Sequence, residues 1–307
     1  MENNKLNKAR EFLVEEFMNC LNEDKLPWEK GWTTVDMKSF NPITKTRYQG
    51  INALILMLSS IKNQFNDPRW CTFKQASENG WKVKKDSKGT PVEFWSFYDK
   101  VNKKQITPEM YNYFIKNDKR EPKEFRMVSR VYTVFNASQL EGIPPHEVVV
   151  EKLNNVEMNE FINSIKNNLG VKYREYGNSA HYTPSQDEVV MPPRQAFKNQ
   201  NEFDSTLLHE LAHSTGHASR LGRNLVNSFG SREYAIEELN AEMTAVFMGQ
   251  HMDIEMSESH LNNHKAYIQS WCEVIKNDSK VLFNAIKEAK KIADYLIDKG
   301  ESKLVKE

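Results

Sequence analysis

Apolar residues recur at helical spacing near the start of the chain, at Leu6, Ala9, Phe12, Leu13, Phe17 and Leu21, and predict a helix over Lys5–Leu21. Lys25–Gln49 carries no period and reads as irregular. Ile51–Lys62 is almost unbroken in its apolar content and predicts a buried helix; Thr72–Asn79 predicts a short one. Val92–Tyr98 and Arg126–Phe135 are rich in β-branched and aromatic residues, the composition of strands. The Lys-rich stretch Asp99–Lys123 between them reads as a long loop or insertion. In the second half a helix is expected over Met158–Asn168. Strand segments follow at Lys172–Arg174 and within His181–Met191, interrupted by Gly177-Asn178 and Pro184-Ser185. After Pro192-Pro193 the pattern turns helical, over Glu202–Thr215, Arg232–His251, Ser257–Lys276 and Lys280–Lys299. Strands followed by helices indicate an α+β protein: a mixed α/β first half and a mostly helical second half with a small sheet.

Charge sharpens this division. The 307 residues balance 42 Lys+Arg against 42 Asp+Glu. Residues 1–140, however, hold 24 basic and 17 acidic side chains, a net of +7, which leaves −7 for the remainder. Five of the six tryptophans (Trp28, Trp32, Trp70, Trp81, Trp95) also fall in the first hundred residues. Two domains are therefore expected, 1–140 and 153–307, joined by a linker over 141–152 that opens with Glu141-Gly-Ile-Pro-Pro-His146. The longest apolar run, Ile51 to Ile61, is too short for the roughly 20 residues of a spanning helix. The N-terminus carries no apolar signal core. Cys20, Cys71 and Cys272 are odd in number and match no CxxC spacing, so a reducing cytoplasm is the expected compartment.

Chemistry concentrates in Leu207-Leu208-His209-Glu210-Leu211-Ala212-His213, an HExxH sequence in a helical pattern. Four residues turn a helix by about 400°, so the imidazoles of His209 and His213 project from one face, a turn apart, and can share one zinc ion. Glu210 lies beside them, placed to take a proton from an attacking water and pass it to a leaving group. The competing reading is a solvated His/Glu helix face, and the apolar flanks argue against it. A third ligand is needed. Ser219 stands where a metzincin would carry its third histidine, which disfavours that class. Downstream, Tyr234-Ala-Ile-Glu-Glu-Leu-Asn-Ala-Glu242 starts a second helix, on which Glu238 and Glu242 share a face. Glu238 is expected as the third ligand of a His₂Glu site, with Glu237 the alternative, and Glu242 as the carboxylate that holds an imidazole N–H. His217 is expected near the ligands rather than on the metal. Tyr234 either donates to a developing oxyanion or serves as a core tyrosine. Arg220 and Arg223 read as surface charge, with a clamp on the loop after Gly216 or a contact to substrate as the alternatives. His146, His181, His251, His260 and His264 lack ligand spacing and are read as non-catalytic. Such a site accepts several divalent ions, Mn2+ as well as Zn2+.

In the first half, Arg47, Tyr48, Arg69, Trp70, Phe73, Lys74, Trp81, Lys82, Lys84, Lys85 and Lys88 interleave cations and aromatic rings. Non-specific single-strand binding uses this mixture, cations along phosphates and ring faces under bases. No GxxxxGK[ST] occurs anywhere, which excludes a P-loop motor.

The chain resembles the ArdC-type antirestriction proteins of conjugative plasmids and related mobile elements, over nearly its whole length. The first block of matches includes Leu26-Pro27-Trp28 with Trp32, Asn41-Pro42-Ile43-Thr44, Tyr48-Gln49-Gly50-Ile51-Asn52, Pro68 to Ala76, Lys88 to Val92 and Val134 to Gln139. The second includes His181-Tyr182-Thr183-Pro184, Met191-Pro192-Pro193, HExxHxxGH over 209–217, and Tyr234 to Leu239. The resemblance implies an N-terminal single-stranded-DNA-binding domain fused to a zincin-like metallopeptidase domain, and protection of incoming DNA from host restriction. The 99–123 stretch is longer and more basic than expected of the family. The rival expectation is a regulatory metallopeptidase that cleaves a repressor or host protein, its basic domain docking a protein partner.

Overall fold

The computed structural model describes residues 7–28, 39–146, 155–225, 228, 230–252 and 267–302. It is an α+β protein whose chain divides into two compact units, Met1–Leu13 with Ser39–Pro145, and Val14–Lys38 with His146–Glu307. This division differs from the contiguous blocks expected from charge and composition, because the segment from Val14 belongs with the C-terminal unit. The reason is visible in Trp28, fully buried, whose ring lies 6.0 Å from Phe17 and 6.5 Å from Trp271.

In the first unit, helix α1 (Lys8–Asn22) contributes its first turns, and α2 (Ile51–Asn63) buries Ala53 through Ser60. Short strand β1 (Trp70–Thr72) leads into α3 (Phe73–Glu78), which opens with a capping box between Thr72 and Gln75. Strand β2 (Lys82–Val83) precedes the long β3 (Thr90–Asp99), β4 (Lys104–Ile106), helix α4 (Pro108–Lys116), β5 (Phe125–Asn136) and β6 (Leu140–Glu141). The main sheet has the order β1-β5-β3-β4, all neighbours antiparallel, and β2 pairs with β6. Leu56 of α2 packs on Trp70, Val92 and Val134 to form the core.

The 99–123 stretch is not a loop: it makes strand β4 and helix α4. Thr107 caps the helix by accepting from the Met110 N–H, and Pro108 at the first turn is pre-set for helix. The bidentate Arg120–Asp99 ion pair closes the excursion, and the Arg120 hydrogen bond holds the buried Asp99 carboxyl well below its usual range.

The second unit carries α5 (Asn155–Leu169), strands β7 (Lys172–Glu175), β8 (His181–Thr183) and β9 (Glu188–Met191), then α6 (Gln200–Ser214), α7 (Arg232–Met252), α8 (Ile268–Asn277) and α9 (Lys280–Glu301). The expected helix over Ser257–Lys276 lies partly outside the described residues. The sheet order is β7-β9-β8, with the wholly buried β9 parallel to β7 and antiparallel to β8, which forms an edge. Helix α6 is buried on nearly every side, by Leu207, Leu208, Leu211 and Ala212, and packs on α7. Phe161 of α5 sits on the α9 backbone at Gly300, where a Cβ would come within 2.3 Å of the ring.

One buried carboxyl in α6 makes a pH prediction. Asp204 is 2% exposed and accepts from Gln200 Nε2 at 2.7 Å. Burial pushes its pKa up to about 6, against the Gln200 hydrogen bond and the charges of Arg194 and Lys166. The folded state thus holds this proton more tightly than the unfolded chain. That contribution is complete below about pH 4 and lost as pH rises through about 6. Asp204→Asn is expected to stabilise the fold at pH 7.5 by up to about 3 kcal/mol and to change little at pH 4. Thermal melts at the two pH values check this; a lower Tm at pH 7.5 would count against it.

Candidate metal centre

Helix α6 begins cleanly because Asn199 accepts from the Glu202 N–H at 2.9 Å. Its end is held by two arginines. Arg223 donates to Ala212 O and Thr215 Oγ1 at 2.9 and 2.6 Å, and Arg220 donates to Ser214 O at 2.8 Å while gripping Asp187. Their side chains are only 9% and 3% exposed, so both are clamps on the last carbonyls of α6, not surface charge.

The helical period brings His209 and His213 together with Nε2 atoms 3.1 Å apart. Helix α7 presents Glu238 to both: one carboxylate oxygen lies 3.6 Å from His209 Nε2 and the other 3.7 Å from His213 Nε2. Glu237 instead faces His213 Nδ1 at 3.1 Å and accepts from Arg223 at 2.8 Å. Glu242 faces His209 Nδ1 at 3.5 Å and accepts from the Trp28 indole N–H at 2.9 Å. Each Nδ1 thus meets a carboxylate that selects the Nδ1–H tautomer. With the rings neutral, both Nε2 lone pairs would point to one place, beside a carboxylate oxygen of Glu238. Three such donors within 4.8 Å of one another could hold a cation. The spacing suits ligands about 2.0–2.1 Å from a common tetrahedral centre, whose edges are about 3.3 Å.

The electrostatics agree. Burial disfavours charge on His209, yet Glu238, Glu242 and the nearby Glu210 raise its pKa to about 10. Burial likewise opposes ionisation of Glu238, but hydrogen bonding from His209 and the two histidine charges bring it down to about 2. The carboxylates thus favour positive charge between the two imidazoles.

A cavity of about 610 Å³ opens beside the centre, walled by Asn178, His181 and Tyr182 on the edge-strand side and by Glu210, Tyr234 and Tyr267 on the helical side. Tyr234 is half-buried in this wall, its hydroxyl 3.2 Å from that of Tyr267; burial, then Tyr267 and the Glu238 charge, raise its pKa. Tyr267 carries no motif signal in the sequence, and the motif that holds Trp28 does not signal a place beside this centre. Trp28 meets Glu242 across 214 positions, a pairing only the fold reveals. His217 does not join the ligands: it follows the end of α6, where its Nδ1 lies 2.8 Å from Ser219 Oγ and 4.0 Å from Asp187. His260 and His264 lie outside the described residues.

The relay Trp28–Glu242–His209 has a measurable consequence. Glu242→Gln is expected to weaken binding of a divalent ion about 10- to 100-fold. Trp28→Phe, which removes only the indole donor, should weaken it less. Calorimetric titration with Zn2+ checks both; affinities equal to the parent would show that Glu242 does not hold His209.

The cationic and aromatic residues expected to meet DNA separate in the first unit. Trp70 is fully buried against Leu56 and cannot offer a ring face to a base, because α2 closes over it. Trp81 is half-buried against Cys71, Ala76 and Leu140. Arg69 is committed to Asp67 at 2.7 Å and to Pro144 O at 2.9 Å. Lys84 donates to Ser138 O at 2.9 Å, and the exposed Lys74 lies 3.7 Å from Glu78. Tyr48 is half-buried beside the core, while Arg47, Phe73, Lys82, Lys85 and Lys88 are exposed.

An α+β chain that carries its HExxH helix against a glutamate-bearing second helix is, by fold and site, a protein with a zincin-like domain. Residues 160–288 match the zincin-like metallopeptidase model, and residues 7–135 match the N-terminal domain of the anti-restriction factor ArdC. The chain belongs to the ArdC-type antirestriction family. The crystal structure of the antirestriction ArdC protein from the R388 plasmid, metal-free, superposes with a TM-score of 0.74 at 26% identity, over 97% of this chain and 99% of that one. Its Mn(II)-bound structure gives 0.73 at 27% identity, over 96% and 98%. The DNA primase TraC of Escherichia coli is 36% identical over 296 residues, 94% of this chain but only 20% of the primase. This chain therefore spans about a fifth of that relative. An uncharacterised protein of Sinorhizobium fredii, y4eC, is 30% identical over 89% of this chain and 84% of its own length. Among the described residues no helix is long and apolar enough to cross a membrane.

Proposed function

We propose that this protein binds single-stranded DNA through its N-terminal unit and hydrolyses a protein substrate at a zinc centre in its C-terminal unit. It would act in the cytoplasm to protect a mobile element from restriction. The observation that carries the reading is the meeting of His209, His213 and Glu238 beside Glu210 at an open cleft, in a chain that also holds the ArdC N-terminal domain. His209, His213 and Glu238 would hold the ion, with Mn2+ as an alternative occupant. The ion would supply Lewis acidity to a bound carbonyl and to the attacking water. Glu210 takes the water proton and returns it to the leaving amine; Glu237 and Glu242 keep both imidazoles in the Nδ1–H tautomer throughout. Tyr234, in the cleft wall one turn before Glu238, would donate to the carbonyl oxygen as charge develops.

The first test is fluorescence anisotropy of the full chain with a labelled single strand and its duplex at about 50 and 200 mM salt. Steep weakening with salt and preference for the single strand are expected. Binding to neither at the lower salt would overturn the DNA assignment. The regulatory-peptidase reading is favoured by one feature, a cleft roomy enough for a peptide, and that outcome would move the weight to it.

A further inference from the structure

We propose that the open face of the β3–β5 ribbon is the single-strand platform, with bases on Phe94 and Tyr132 and phosphates on Arg126 and Arg130. This rests on the single-stranded-DNA reading above and replaces the buried Trp70 as its stacking residue. In an antiparallel ladder, alternate residues share a face. The register pairs Val92 with Tyr132, Phe94 with Arg130, and Tyr98 with Arg126, so these six positions lie on one side of the sheet. Helix α2 covers that side only at its near end, where Leu56 meets Val92 and Val134 and Ser59 bonds Thr90. Beyond Val92 the face is open among the described residues: Phe94 is 45% and Tyr132 41% exposed. The opposite side is partly covered: Tyr111 of α4 stacks 3.9 Å from Phe97 and Arg10 bonds to Glu93, while Trp95, Val131 and Met127 stay 37%, 39% and 58% exposed.

The exposed rings are held in place. Phe94 meets Tyr132 at 5.4 Å and Tyr48 at 6.4 Å, both edge to face, so Tyr48 anchors the strip to the core. Large rings that stay exposed yet fixed are suited to stacking on bases, at little further cost in side-chain freedom. The cations beside them are available: Arg126 lies over Tyr98 at 5.7 Å, and neither it nor Arg130 forms an ion pair among the described residues. Arg69 and Arg120 are by contrast spent on Asp67 and Asp99. No carboxylate occupies this side of β3 or β5, so the strip is positive along the rings. A duplex hides its base faces and could use only the arginines; an unpaired strand satisfies both parts of the surface.

The experiment titrates the full chain with a labelled oligo-thymidine single strand. Phe94→Ala and Tyr132→Ala are each expected to weaken binding about 5- to 150-fold, the range for one base stack. Arg130→Ala should weaken it and lower the slope of log affinity against log salt by about one. Arg130 is exposed and supports no core, so this variant reads the proposal even where an aromatic truncation unfolds. Phe94→Tyr should bind like the parent. If the variants melt like the parent and bind as tightly, while Lys82→Ala/Lys85→Ala abolishes binding, the platform lies elsewhere and the inference falls while the DNA reading stands. Equal affinity of the parent for duplex would overturn it as well, because stacking would then play no part. Absence of any single-strand binding by the parent would sink the underlying reading first.

Discussion

Glu210→Gln is expected to leave Zn2+ affinity within about twofold of the parent and to lower peptide hydrolysis by about 10²- to 10⁴-fold. Glu210 lies on α6 between the two histidines and lines the cleft, but the three candidate ligand groups are His209, His213 and Glu238. The substitution keeps its size and removes its ability to carry a proton. Turnover of a fluorogenic peptide library, with bound zinc measured on the same samples, checks the result. Loss of zinc along with activity would place Glu210 among the ligands instead. The same variant decides what the hydrolytic site is for. In a conjugation assay with a restricting recipient, full protection by Glu210→Gln would make DNA binding the protective act and leave the metal to hold α6 against α7.

The centre was legible in the sequence because its parts are local: His209, Glu210 and His213 need only the period of one helix, and Glu238 and Glu242 the period of another. What joins them is not local. The choice between Glu237 and Glu238 turns on which side of α7 meets α6, and the Trp28 support for Glu242 on a tertiary contact of an N-terminal segment. Helix α4 is hard to read from pattern because Lys and Asn dominate its neighbourhood and no residue in it is fully buried, although Thr107-Pro108-Glu109 is a cap signature that marks it. Which aromatic rings of the first unit are open to a partner is hidden for a related reason. An aromatic residue among cations looks the same whether its ring is fully buried, as that of Trp70 is, or open, as that of Phe94 is. Exposure depends on how far α2 extends over the sheet, and no pattern along β3 or β5 records that length.

The affinity of the centre for a divalent ion is expected to rise about tenfold per pH unit between pH 6 and 8. Without the ion, the Glu238 and Glu242 carboxylates and the Glu210 charge hold His209 protonated up to about pH 10. A cation must displace that proton to reach the Nε2 lone pair, so each binding event releases one proton, and log affinity climbs with pH at a slope near one. The metal-free fold should show the complementary trend. A histidine whose folded pKa lies above its ordinary 6.5 contributes stability that is complete below about pH 6.5 and lost as pH rises through about 10. Thermal melts of chelated protein should therefore fall over that interval, while zinc-loaded protein should hold its Tm, since the ion then satisfies the same carboxylates. His209→Ala and His213→Ala remove the donors themselves, and each is expected to abolish stoichiometric zinc. Calorimetric titrations in buffers of different ionisation enthalpy count the released protons directly. A slope near zero, or zinc retained in both alanine variants, would mean that the ion binds away from His209, His213 and Glu238.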